Sequence, residues 1–178
     1  MDTQPSPPSF LKMIGMAILM IVPLVYLIIA LNTGDLLWAS PVFDAQPQAI
    51  VIHCFGQDVV VEPGSEHFTA LTERVNESLS GRKRWDSLSL SDETYQDYQD
   101  HPDMMVLEVT YPAVLRVHSP YKFFSNVDRI IIPLVGRHAQ TNAVFGRWLE
   151  NPAAGSFHVR STAPLVEYLS SQGLCKQP

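Results

Sequence analysis

Residues 13–31 (MIGMAILMIVPLVYLIIAL) are nineteen consecutive uncharged positions, and no other stretch constrains the chain as tightly. As a helix rising about 1.5 Å per residue they reach roughly 28 Å, close to the ~30 Å hydrocarbon core of a bilayer. A cleaved signal sequence would carry an apolar stretch of about 7–15 residues and a small-x-small cleavage site. This run is longer, and bulky Trp38 stands in the following segment where a small residue would be wanted. The segment therefore reads as an uncleaved single-pass anchor.

Orientation follows from the basic residues around it. Lys12 and the N-terminal amine precede the run, whereas the first basic residue after it is Arg74. Positive charge near a span stays in the cytoplasm, so residues 1–12 read as a cytoplasmic tail and the rest of the chain as extracytoplasmic. Trp38 suits an interfacial anchor or the first core residue of the outer domain. Pro23 predicts a kink near the middle of the span. With no charged side chain inside it, the span offers no ion or proton path.

Residues 32–48, with Gly34, Pro41 and Pro47, read as a juxtamembrane linker, and residues 49–178 as one domain large enough for its own core. A net charge of −6 without a basic, aromatic-studded stripe argues against a nucleic-acid partner. Cys54 and Cys175 are the only cysteines, and in an oxidising compartment such a pair suggests a disulfide closing 121 residues. The alternative is a small buried Cys54 on a strand.

Within the domain, residues 49–55 and 58–62 predict a hairpin turning at Gly56-Gln57. Ser65 caps a helix whose Phe68, Leu71, Val75 and Leu79 recur at steps of three and four, with Gly81 as its stop and Arg82, Lys83 and Arg84 as its basic end. Residues 85–103 carry six acidic side chains and no Lys or Arg, and predict a polar, solvated excursion with at most a short helix capped by Ser91. Strands follow at 104–111, 114–118, 127–135, 143–148 and 156–160, then a closing helix with Thr162 as cap, Pro164 early, Leu165, Val166 and Leu169 inward and Gly173 as stop. The expected class is α+β: a largely antiparallel sheet with two helices on one face.

Catalytic motifs are missing from this layout. His53 and Cys54 are neighbours on a strand and point to opposite faces, which rules them out as base and nucleophile. G-x-S-x-G, phosphate-binding glycine loops and zinc spacings are absent, so no catalytic residue, cofactor or metal is assigned. The acidic stretch lacks the spacing and the glycine of a calcium loop, and its tyrosines suit contact with a protein partner. Arg82, Lys83, Arg84 and Trp85 suit a basic helix end or, if the domain folds back, anionic head groups. Strand alternation puts Arg116 and His118 on the outer face of one strand and His158 and Arg160 on that of another. If those faces coincide, the four form a basic patch that holds an anion or senses pH, because histidine titrates near neutrality.

The plan is similar to that of membrane-anchored regulators and of small accessory subunits of membrane complexes. The expected function is therefore non-enzymatic: an anchor in the lipid bilayer and an outer domain that contacts other membrane proteins. A small-ligand or anion sensor using Arg116, His118, His158 and Arg160 is the alternative.

Overall fold

A computed structural model describes residues 9–40, 42–122, 126–149 and 151–176; the reading of residues 1–8 as part of a tail lies outside them. Helix α1, Phe10–Thr33, runs through Pro23 and is long and apolar enough to cross a membrane, which fits a single-pass anchor or a signal sequence. It ends at Gly34 in the left-handed conformation (φ 65°), which glycine adopts without a Cβ clash, and the N–H groups of Gly34 and Asp35 both return to the Ala30 carbonyl.

The chain then doubles back along the helix. Tyr26 donates its hydroxyl to the Leu36 carbonyl, Trp38 Nε1–H donates to the Tyr26 carbonyl at 3.3 Å, and the two rings lie 5.4 Å apart. Trp38 thus belongs to the helix-side contact and not to the domain core. Residues 42–48, read as linker, pack onto the domain instead: Phe43 is buried, its N–H donates to Ser80 Oγ at 3.0 Å, and Asn76 Nδ2 donates to the Ala45 carbonyl at 3.2 Å.

An eight-stranded antiparallel sheet organises the rest. Its strands are β1 (Ala49–Cys54), β2 (Gln57–Val61), β3 (Arg84–Asp86), β4 (Met105–Leu115), β5 (Val127–Val135), β6 (Ala143–Trp148), β7 (Asn151–Pro152) and β8 (Ser156–His158). The order is β2-β1-β4-β5-β6-β8-β3, with β7 paired to β6. The first hairpin turns on Phe55 (φ 51°) and Gly56 (φ 82°), one residue earlier than predicted. Two positive-φ positions make the tight turn whose twist matches paired strands.

Alternation along the strands divides the interior into two layers. Ile50, Ile52 and Cys54 of β1, Leu107 and Val109 of β4, and Ile130 and Ile132 of β5 join a core covered by α2 (Glu66–Leu79) and α4 (Ala163–Ser171). Ser65 Oγ caps α2 by accepting from the Phe68 N–H at 3.2 Å, and Phe68, Leu71, Val75 and Leu79 are buried as their spacing predicts. Leu165 and Leu169 anchor α4. A disulfide joins Cys54 to Cys175, their Cα atoms 5.7 Å apart, and so fixes the segment after α4 to the end of β1.

The opposite face carries the short helix capped by Ser91, α3 (Asp92–Asp100), which packs against the sheet rather than standing in solvent and makes a third helix of the domain. Ser91 Oγ accepts from the Thr94 N–H at 3.1 Å, and Asp92 and Glu93 occupy the first turn, where the helix dipole favours acids. Tyr98 is buried against Val106, Ile131 and Phe145, so its ring serves this packing and not a partner.

Three strand predictions also change. β4 is one strand running through Pro112, not two joined there. β1 pairs only as far as Thr110, and the β5 register shifts between Thr110 and Leu115, so no ladder bond requires the missing Pro112 N–H. Residues 116–118 leave the sheet, and β8 stops at His158. The three residues of β3 pair with β8, Arg84 opposite His158 and Asp86 opposite Ser156. Gly155 makes this corner close: a Cβ there would collide with the Asp86 carbonyl and the Trp85 indole.

Candidate functional site

The corner where β3, β8, the end of α2 and the start of α4 meet encloses a cleft of about 1390 Å³. His118, His158 and Arg160 of the predicted patch line it. Arg116 does not: its guanidinium donates to the Gly34 carbonyl at the end of α1. The alternation used to group Arg116 with His118 fails because β4 ends at Leu115 and both residues lie beyond it.

Arg82, Lys83 and Arg84 supply the rest of the positive charge. Read from sequence they were a helix terminus. The pairing of Arg84 with His158 carries that run to the cleft, and a three-residue strand has too little pattern to be legible beforehand. Trp38 and Ala39 line the cleft on the α1 side.

The charges are unequally matched. His118 Nδ1 lies 3.0 Å from both carboxylate oxygens of Asp35. His158 Nδ1–H donates to the Thr141 carbonyl at 2.9 Å, and its Nε2 lies 3.3 Å from Asp86 Oδ2. By contrast, Arg82, Arg84 and Arg160 make no ion pair among the described residues, and Glu77 is the one carboxylate lining the cleft there. Lys83 Nζ donates only to the Gly81 carbonyl, at 3.3 Å, and burial pulls its pKa down to about 8. Unpaired guanidiniums and a partly desolvated ammonium are the groups that hold a phosphate or sulfate. Among the described residues no group of three or more His, Cys, Asp or Glu side chains converges on a metal position.

A second polar constellation lies on the α3 face of the sheet, and sequence reasoning missed it. His53 Nδ1 is 2.7 Å from Asp58 Oδ1 and its Nε2 is 3.3 Å from Glu108 Oε2. Tyr95 of α3 donates its hydroxyl to Glu108 Oε2 at 2.9 Å and accepts from the Arg129 guanidinium at 2.8 Å. Arg147 holds Asp92 Oδ1 through both terminal nitrogens at 3.2 Å and lies 4.3 Å over the Tyr95 ring. His53 faces α3 while Cys54 faces the other core, as strand alternation requires.

This network fastens α3 to the sheet and makes its grip depend on pH. Burial pushes His53 down, but hydrogen bonds to Glu108 and Asp58 outweigh it and hold the histidine above its ordinary 6.5. Burial pushes Glu108 up, yet bonds from His53 and Tyr95 and the Arg129 charge hold it below its ordinary 4.5. The histidine's contribution is complete below about 6.5 and is lost as pH rises through the elevated value. The carboxylate's is complete above about 4.5 and is lost as pH falls through the lowered one. Urea melts should therefore show greatest stability between these two values, with a decline above neutrality that His53→Gln flattens. An unchanged alkaline slope in the variant would remove His53 from the account.

Comparison of the chain with protein-family models, with characterised proteins and with solved structures gives no match, and its own chemistry is what bears on function.

Proposed function

We propose that the chain is a single-pass membrane protein, N-terminus in the cytoplasm, whose outer domain is a non-enzymatic module that binds an anion in the basic cleft. The carrying observation is the convergence of Arg82, Arg84 and Arg160, none ion-paired among the described residues, on one cavity with Lys83. Like charges lining one cavity with a single carboxylate, Glu77, among them repel one another. A bound anion relieves that repulsion. Lys12 before α1 and the absence of any basic residue from there to Arg74 support the outward placement.

Sulfate is the suitable probe because its charge is constant across the relevant pH range. Calorimetric titration into the full chain in an uncharged detergent should give one site. Arg82→Ala and Arg160→Ala should each weaken it about tenfold, the value of one charge-assisted hydrogen bond. Wild-type affinity should fall as pH rises through about 8, where Lys83 loses its proton, and Lys83→Met should abolish that dependence. Failure of sulfate to bind, or equal binding by an Arg82→Glu/Arg160→Glu variant, would refute the reading.

A second reading, a regulatory or accessory subunit whose outer domain contacts other membrane proteins, draws support from the open edge of the sheet. Among the described residues β2 pairs only with β1, and Val60 on it is 67 % exposed. An edge strand with an exposed apolar side chain is a template for another chain. Stoichiometric co-purification of a membrane partner, lost on Val60→Lys, would favour it.

A further inference from the structure

The position of the cleft, at the foot of the domain beside α1, bears on which anion it takes. The reversal after Thr33 brings Trp38 alongside Tyr26, seven residues back, or roughly 10 Å down the helix axis. With residues 13–31 crossing the hydrocarbon core, Tyr26 lies five residues, or roughly 8 Å, below its outer edge, so Trp38 dips past the boundary between head groups and acyl chains. Leu36 and Leu37, 69 % and 55 % exposed, flank it, and such side chains gain from that boundary and not from water. Tryptophan and tyrosine are the residues that settle there.

The same Trp38 and Ala39 form one wall of the cleft. The domain is also held to this spot. His118 pairs with Asp35, which is itself buried, and Arg116 grips the Gly34 carbonyl. The cationic cavity is thus tied to the end of α1 through Gly34 and Asp35, with its open cations in the same cleft as the Trp38 wall.

We infer that the occupant of the cleft is the phosphate of an anionic phospholipid in the outer leaflet beside α1, its glycerol and acyl chains passing along Trp38 and Leu37 into the bilayer. The inference rests on the anion-binding reading above and adds the source of the anion. A headgroup is already concentrated at this surface, and its phosphate carries the charge that Arg82 and Arg160 lack.

The test uses the full chain in nanodiscs of phosphatidylcholine containing phosphatidylglycerol, released into mild detergent, with retained lipid identified by native mass spectrometry. Phosphatidylglycerol should be retained about tenfold above its share of the bilayer, again the value of one charge-assisted bond. Arg82→Glu/Arg160→Glu should return it to that share, whereas Lys12→Gln, at the far end of α1, should leave the enrichment intact. Both arginines are exposed, and thermal melts of the variant check that it folds. Sulfate binding at the cleft with no lipid enrichment would overturn the lipid source and leave the anion site standing. Loss of both would overturn the two together. Enrichment that survives the double charge reversal would place the lipid elsewhere and refute the inference.

Discussion

Replacing Glu108 with alanine should cost the domain about 3–5 kcal/mol, measured by urea denaturation near pH 6. The carboxylate is the shared acceptor for His53, Tyr95 and Arg129, from strands β1 and β5 and from α3. Its removal leaves the 5 %-exposed His53 facing an empty position and Arg129 without that carboxylate. The penalty comes from the loss of a shared acceptor, which leaves His53 Nε2 and the Tyr95 hydroxyl without their partner in a buried place. For that reason Glu108→Gln should recover part of the loss by restoring an acceptor, and hydrogen exchange should locate the loosened amides in α3. A change below about 1 kcal/mol would show the network to be decoration on an apolar interface.

The second large effect is expected from the Cys54–Cys175 bond. Closing a loop of 121 residues is worth at most about 4–5 kcal/mol in the chain-entropy account, so reduction should lower the urea midpoint by a large fraction of a small domain's stability. Mild reductant is the cleaner test, because both sulfurs lie in the core and alanine replacements would also remove packing. The bond has a cellular readout as well. Alkylation of intact cells followed by mobility analysis should find the pair oxidised if the domain lies outside the cytoplasm. Free thiols at both positions would overturn the outward orientation.

How much of this was legible in the chain depended on whether a signal was local. The apolar run of α1, the capped amphipathic α2 and the strands β5 and β6 announce themselves through composition and periodicity within one window, and each was read correctly. The cysteine pair was legible because only two cysteines exist. The acidic residues 92–100 misled because their polarity suggested solvent, when Asp92 and Tyr95 in fact meet Arg147, Arg129 and Glu108 on distant strands. Glu108 itself was invisible as a site, being a lone carboxylate in an apolar strand. The cleft was half legible: His158 lies on its strand beside inward Phe157 as read, His118 and Arg160 lie beyond the ends of β4 and β8, and Arg82, Lys83 and Arg84 required knowledge of the β3–β8 pairing.

The covalent tie between the end of β1 and the segment after α4 also governs how the molecule answers to force. A protease or translocase that pulls the chain by its apolar helix can straighten it only as far as Cys54. The 121 residues beyond form a closed loop whose contour, roughly 400 Å when extended, is withheld from the pulling axis. Tension enters at β1, where it must peel that strand from β2 and β4, and is handed across the sulfur bridge to Cys175 without stretching the loop between them. Threading the whole chain through a pore then requires either reduction or a channel wide enough to pass two strands side by side.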